Sequence, residues 1–203
     1  MTMTYRMTLP QITLETAAPK AKELLEGAKK QSGMISNMHA AMANAPEALE
    51  TYLYGMEHLR KESGFSPPEQ EVVLLTISYE NGCDYCMAAH SFIADKRSQV
   101  PPPVTDAIRA GTRVPDARLR ALSEFTRAML QKRGRPDRQD VEPFLAAGFS
   151  EKQILDVVLA IAVKTISNYT NHLFETPVDP PFKTREWKPP AGRAQAASGE
   201  ARQ

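Results

Sequence analysis

Cysteine is nearly missing from this sequence. Two occur in 203 residues, at Cys83 and Cys86. With no second Cys/His pair nearby, a structural zinc site is excluded, because it needs four closely placed ligands. Net charge is missing too: 25 Lys and Arg stand against 24 Asp and Glu. No basic field is available for nucleic acid or an anionic membrane surface, so neither is an expected partner. No apolar run reaches the ~18 residues of a membrane span, and the opening MTMTYRMTLP lacks the apolar stretch of a secretory leader. A cytoplasmic location is therefore expected. Two cysteines in a reducing compartment point to catalysis or redox sensing rather than to structure.

The two cysteines lie together in EVVLLTISYENGCDYCMAAH, from Glu71 to His90. They form a C-x-x-C pair, with His90 four residues after the second and Glu71 twelve before the first. Periodicity leaves the apolar run Val72–Ile77 open between a buried strand and a buried helix. The preceding Ser66-Pro67-Pro68-Glu69 decides for helix: a capping serine, proline in the first turn and glutamate at the third helical position. The spacing predicts a helix over 67–80, apolar nearly all round and therefore central. Asn81-Gly82 ends it, and a second helix starts near Cys83. On that helix Cys83, Cys86 and His90 share a face, and thiols near its start feel the positive end of the dipole. Glu71 can join them only where the two helices cross closely.

Elsewhere the chain reads as helix after helix. Residues 1–18 form an N-terminal lead or arm. Helices are expected over 19–32, 34–43, 46–63 (opened by Asn44-Ala45-Pro46-Glu47), 104–110, 115–132, 137–147 and 151–174. Residues 98–103 read as a rigid proline turn. Gly148-Phe149-Ser150 echoes Gly64-Phe65-Ser66, and Asp156-Val157-Val158-Leu159 echoes Glu71-Val72-Val73-Leu74. This is a weak internal repeat of a helical unit, with Asn168, Asn171 and Glu175 falling under Cys83, Cys86 and His90. Residues 177–203 are Pro-rich and expected to be largely disordered, except that Phe182 and Trp187 are large enough to latch onto the core or a neighbouring subunit. The fold class is all-α, with one domain over 19–176.

Glu71, Cys83-Asp84-Tyr85-Cys86 and His90 together resemble the signature of the AhpD-like alkylhydroperoxidase and carboxymuconolactone decarboxylase superfamily. The stretches Gly33–Met38 and Ala45–Leu49 resemble the first helices of that family, and the similarity spans about residues 20–180. The resemblance implies that Cys86 attacks a hydroperoxide and that Cys83 resolves it as a disulfide. It implies a proton relay of His90 and Glu71, and no metal, flavin or haem. The implied partners are a hydroperoxide substrate and a dithiol reductant, lipoyl-bearing or thioredoxin-like, and a homo-oligomer is expected. An all-apolar central helix is easier to bury across a subunit interface. Tyr85 stands where some peroxidase members have histidine, which bears on turnover and not on the redox pair.

Blander readings compete. Buried cysteines often do nothing but pack, and Glu71 could be a charge favoured by the helix dipole. Tyr85 supplies a hydroxyl near the thiols or simply packs. His39 and His172 are weak candidates for a substrate channel, and His58 is expected to be exposed. Met34, Met38 and Met42 read as core filling. Two other functions remain open: decarboxylation of a small lactone acid, which needs no thiol pair, and a non-catalytic redox sensor.

Overall fold

Capping signals set most of the helix boundaries. The structure, a computed structural model, describes residues 5–190. Among the described residues there are nine α-helices and no strand: α1 Pro19–Ser32, α2 Asn37–Met42, α3 Pro46–Glu62, α4 Pro67–Glu80, α5 Asp84–Ile93, α6 Pro102–Ala110, α7 Ala117–Gln131, α8 Arg138–Ala146 and α9 Glu151–Phe174. The all-α class holds.

Helix α4 is the axis of the molecule. Glu69 reaches back to accept the Ser66 N–H at 2.8 Å, closing the capping arrangement read from the sequence. Every residue from Glu69 to Tyr79 is buried. Helices α3, α5, α6, α7 and α9 pack around it. Val72, Val73, Leu74, Leu75 and Ile77 are completely covered, and each such side chain contributes about 1.5–3 kcal/mol. The polar members are satisfied: the Thr76 and Ser123 hydroxyls pair at 2.9 Å, and Ser78 donates to the Leu74 carbonyl at 2.7 Å. This one chain therefore buries α4 unaided, and the reason offered for a subunit interface does not hold. Exposed apolar side chains lie instead on α9, at Leu155, Val158, Tyr169 and Leu173.

The turn after α4 sets up the site. Gly82 takes a left-handed φ of 67°, a conformation available to glycine at no steric cost. The chain turns back at once, and the Cys83 N–H closes the turn on the Ser78 carbonyl at 3.0 Å. Cys83 then becomes the residue just before α5.

Some boundaries differ from expectation. Helix α2 begins at Asn37 rather than Met34, because the Ser36 hydroxyl caps it by accepting from His39 N–H at 3.2 Å. Helix α6 begins at Pro102, two residues before Val104, since proline is well suited to a first turn. Asn44 does not cap α3. Its amide donates to the carbonyls of Pro10 and Ala41 at 2.8 and 2.9 Å, tying the N-terminal lead to α2. Helix α5 widens into a π turn over Ala94–Ser98. The repeat is confined to the first turns of α4 and α9. Ile166-Ser167 stand where Asn81-Gly82 break α4, and α9 runs on to Phe174.

The stretch after Pro177 enters the fold rather than leaving it. Pro180–Arg185 forms a 3-10 turn. Trp187 is buried, donates to the Arg109 carbonyl at 2.8 Å and packs edge-on against Tyr79. Phe182 lies 5.5 Å from Phe92 and 6.4 Å from Tyr85, ring to ring. The expected disorder therefore fails over 177–190, because these aromatic groups bury apolar area against this chain's own core. The rest of the expected tail, 191–203, and the first four residues of the lead lie outside the described residues.

Candidate active site

The crossing of α4 and α5 brings Glu71 and His90 together. His90 Nδ1 lies 2.9 Å from Glu71 Oε2, a direct contact with no intervening water. Glu71 is completely buried and His90 is 6% exposed. The other carboxylate oxygen accepts from Arg60 of α3, which also donates to Gln70 Oε1 at 3.0 Å. Burial opposes the charge on Glu71, yet His90 and Arg60 outweigh it and hold the carboxyl below its ordinary value. Burial and the charge of Lys164 push His90 down, against the pull of Glu71. A neutral imidazole beside a carboxylate donates from Nδ1 and leaves Nε2 as an acceptor.

The two thiols differ in environment. Cys86 sits in the first turn of α5 and Cys83 just before it. Both are buried. Burial pushes the Cys83 thiol up, as does its neighbour Cys86. Burial also opposes ionisation of Cys86, but a hydrogen bond from Cys83 and the positive charge of Lys164 hold it well below its ordinary value. Asn171 of α9 adds a donor, its Nδ2 lying 3.3 Å from the Cys86 sulfur and 3.9 Å from that of Cys83. The thiolate is thus favoured at Cys86 and the thiol at Cys83, which divides the pair into a nucleophile and a proton-bearing neighbour.

Cys86 and His90 form part of the wall of a cavity of about 480 Å³, and Cys83 does not. Met34, Met38, Tyr52, Phe92 and Phe182 supply most of the remaining apolar wall. His39 also lines it. Its Nδ1 is buried without a partner, and burial lowers its pKa to about 4, so it is neutral at pH 7.

The structure places the other expected residues as follows. Tyr85 lines the cavity, but its hydroxyl donates to Asp179, which also accepts the Asn37 N–H at 3.1 Å. It therefore ties the C-terminal segment to α5 rather than offering its hydroxyl to the sulfurs. His58 pairs with Glu62 at 3.1 Å on the surface side of α3. His172 does not line the cavity. Met34 and Met38 do, and Met42 is core.

Arg60, Lys164 and Asn171 were not identified as site residues from the sequence. Nothing in periodicity joins Arg60 to Glu71 across two helices. Lys164 did carry a signal: it is the only acidic or basic (Asp, Glu, Lys or Arg) side chain between Asp156 and Glu175. Asn171 stood out only as the repeat's echo of Cys86, and it lies against that cysteine. Among the described residues no cluster of His, Cys, Asp and Glu could hold a metal ion, and no helix is long and apolar enough to cross a membrane.

Residues 46–128, which contain Glu71, both cysteines and His90, match the carboxymuconolactone decarboxylase family model. No curated protein sequence matches the chain. Among solved structures, the alkylhydroperoxidase AhpD core of an uncharacterized peroxidase-related protein from Ralstonia eutropha JMP134 is similar with a TM-score of 0.74 at 20% identity, covering 86% of this chain and 93% of that one. An uncharacterized peroxidase-related protein from Silicibacter sp. TM1040 has a TM-score of 0.70 at 22% identity, covering 89% and 97%. The debrominase Bmp8, as a cysteine-to-alanine variant in complex with 2,3,4-tribromopyrrole, has a TM-score of 0.68 at 14% identity, covering 90% and 97%. These likenesses show a shared fold. The chain thus carries a stretch, residues 46–128, that matches the carboxymuconolactone decarboxylase family model, within a fold shared with an AhpD core.

Proposed function

We propose that this protein is a peroxidase working through Cys83 and Cys86, with an apolar organic hydroperoxide as substrate and a dithiol, lipoyl-bearing or thioredoxin-like, as reductant. One observation carries the reading: the thiol favoured as thiolate, Cys86, faces the cavity, and the thiol favoured as protonated, Cys83, sits behind it. The Cys86 sulfur attacks the terminal oxygen of ROOH. The O–O bond breaks, the sulfur becomes a sulfenic acid, and RO⁻ leaves. RO⁻ takes a proton from solvent relayed through His90 Nε2, giving ROH. Cys83 then attacks the sulfenic sulfur, forming the disulfide and releasing water. The dithiol partner reduces that disulfide by exchange. The exposed apolar face of α9 supports the expected self-association.

Supplied with dihydrolipoamide, the protein is expected to consume cumene hydroperoxide well above the rate without protein. It should prefer cumene hydroperoxide over hydrogen peroxide by about tenfold or more in kcat/KM. Tenfold needs only about 1.4 kcal/mol, the burial of roughly 55 Å² of apolar surface, and the cavity wall supplies that. Consumption no faster than the protein-free control would overturn the proposal.

A second reading draws on the aromatic wall formed by Tyr52, Tyr85, Phe92 and Phe182 and on the debrominase likeness. The same thiol pair can deliver two electrons to a halogenated aromatic ring: the carbon–halogen bond breaks, carbon takes a proton, halide leaves, and the pair ends as a disulfide. Bromide release from a bromopyrrole with no hydroperoxide turnover would select this reading. Small-molecule turnover that survives loss of both cysteines would select the decarboxylase reading.

A further inference from the structure

We infer that Lys164 is the fixed counter-charge of the Cys86 thiolate, so that α9 completes the site that α4 and α5 begin. The inference rests on Cys86 being the reactive thiol of the proposed function.

Lys164 is completely buried, and its Nζ has no hydrogen-bond partner. An unpaired ammonium in a protein interior costs several kcal/mol, so burial needs an opposing charge nearby. The one carboxylate in the site cannot serve: both oxygens of Glu71 are engaged, one by Arg60 and the other by His90. Lys164 acts electrostatically on Cys83, Cys86 and His90 alike. With Arg60 matched to Glu71 and His90 neutral, the fully buried positive charge left unmatched is that of Lys164, Arg97 of the cavity wall being exposed. The group left to balance it is the Cys86 sulfur.

The neighbours on α9 are consistent with this. Lys164, Asn168 and Asn171 recur at i, i+4 and i+7, along one stripe of the helix. All three are buried. Asn171 directs its amide nitrogen at the sulfurs, and Asn168 accepts from Asn81 in the α4–α5 turn at 2.9 Å. Helix α9 thus presents one cation and one amide donor to the thiol pair, and no acid. Besides Lys164, the titratable groups acting on Cys86 are Tyr52 of α3 and Cys83, Tyr85 and His90 of the α5 segment, and His39 and Arg97 line the same cavity. Burial pushes Tyr52 above its ordinary value, so it stays neutral near pH 7.

The test is the pH dependence of Cys86 alkylation by iodoacetamide, read at the peptide level by mass spectrometry, in wild type, Lys164→Met and Lys164→Arg. Methionine keeps most of the length and removes the charge; arginine keeps the charge. In Lys164→Met the midpoint should rise by one pH unit or more, and the rate at pH 7 should fall tenfold or more. Lys164→Arg should stay close to wild type. An unchanged midpoint in folded Lys164→Met overturns the inference. Unfolding by denaturant gives a second readout. Cys86→Ser leaves the ammonium unpaired and should destabilise, and adding Lys164→Met to it should restore stability. Strictly additive effects of the two substitutions would overturn the inference. Neither readout involves peroxide. A shifted midpoint in a protein that does not reduce hydroperoxides keeps Lys164 in its role and removes the peroxidase reading, and an active peroxidase with an unshifted midpoint does the reverse.

Discussion

Cys86→Ser is expected to lower hydroperoxide consumption on the order of 10³-fold or more, the scale seen when a nucleophile is removed from an otherwise intact site. A serine hydroxyl does not ionise near neutrality and cannot give two electrons to an O–O bond. The cavity, His90 and Glu71 all remain, so the loss isolates the sulfur. Cys83→Ser should behave differently, because Cys83 lies outside the cavity wall. It should reduce about one equivalent of hydroperoxide per chain and then stall as the Cys86 sulfenic acid, which dimedone traps. Rapid-mixing kinetics with peptide mass analysis checks both. Equal, slow consumption by wild type and Cys86→Ser would contradict the assignment, as would full steady-state turnover in Cys83→Ser with a dithiol that cannot enter the cavity.

Glu71→Gln should be nearly as damaging, through a proton rather than through shape. The carboxylate accepts from two donors, Arg60 and His90. An amide has only one oxygen, so its NH₂ must face one of them. Facing Arg60 sets donor against a charged donor. Facing His90 forces Nδ1 to become the acceptor, which moves the ring proton to Nε2 and removes the base that serves the thiols. Loss of a positioned general base lowers rate by roughly 10²–10⁴-fold. Stability should fall by about 3 kcal/mol, the lower end for breaking a buried pair, because Arg60 is still 29% exposed at its side chain.

The pH sign follows from the direction of the Glu71 shift. Its folded carboxyl lies below the ordinary 4.5. Its contribution is therefore fully present above about pH 4.5 and is lost as pH falls through the lower folded value. Wild type should lose stability on that acid limb, and Glu71→Gln should lose less there. Thermal unfolding from pH 7 to pH 3, with hydroperoxide turnover measured alongside, checks both effects. Wild-type turnover in a folded Glu71→Gln would remove the relay.

The helices were legible where a capping side chain or a proline stood at their start. Ser66-Pro67-Pro68-Glu69 and Ser150 with Gln153 gave α4 and α9 their observed bounds. The start of α2 was missed because Ser36 caps from inside a stretch that reads as helix throughout. The placing of Cys86 and His90 on one face of α5 followed from local spacing, while Cys83 lies just before that helix. The Glu71–His90 contact did not, since it depends on how two helices cross. Arg60 was invisible for the same reason. Lys164 could have been found, because a lone cation inside an apolar helical run must meet something in the interior. The C-terminal segment was legible in part: its prolines suggested disorder, but Phe182 and Trp187 stood out as groups able to latch onto the core, and both do.

The most direct test is peptide mass analysis of the reduced protein after one equivalent of cumene hydroperoxide, without added reductant. The expected product is a single linkage between residues 83 and 86, about 2 Da lighter than the dithiol, formed with one equivalent of the alcohol. A pair that stays reduced while hydroperoxide disappears, or one oxygen added to Cys86 with no linkage to Cys83, would contradict it.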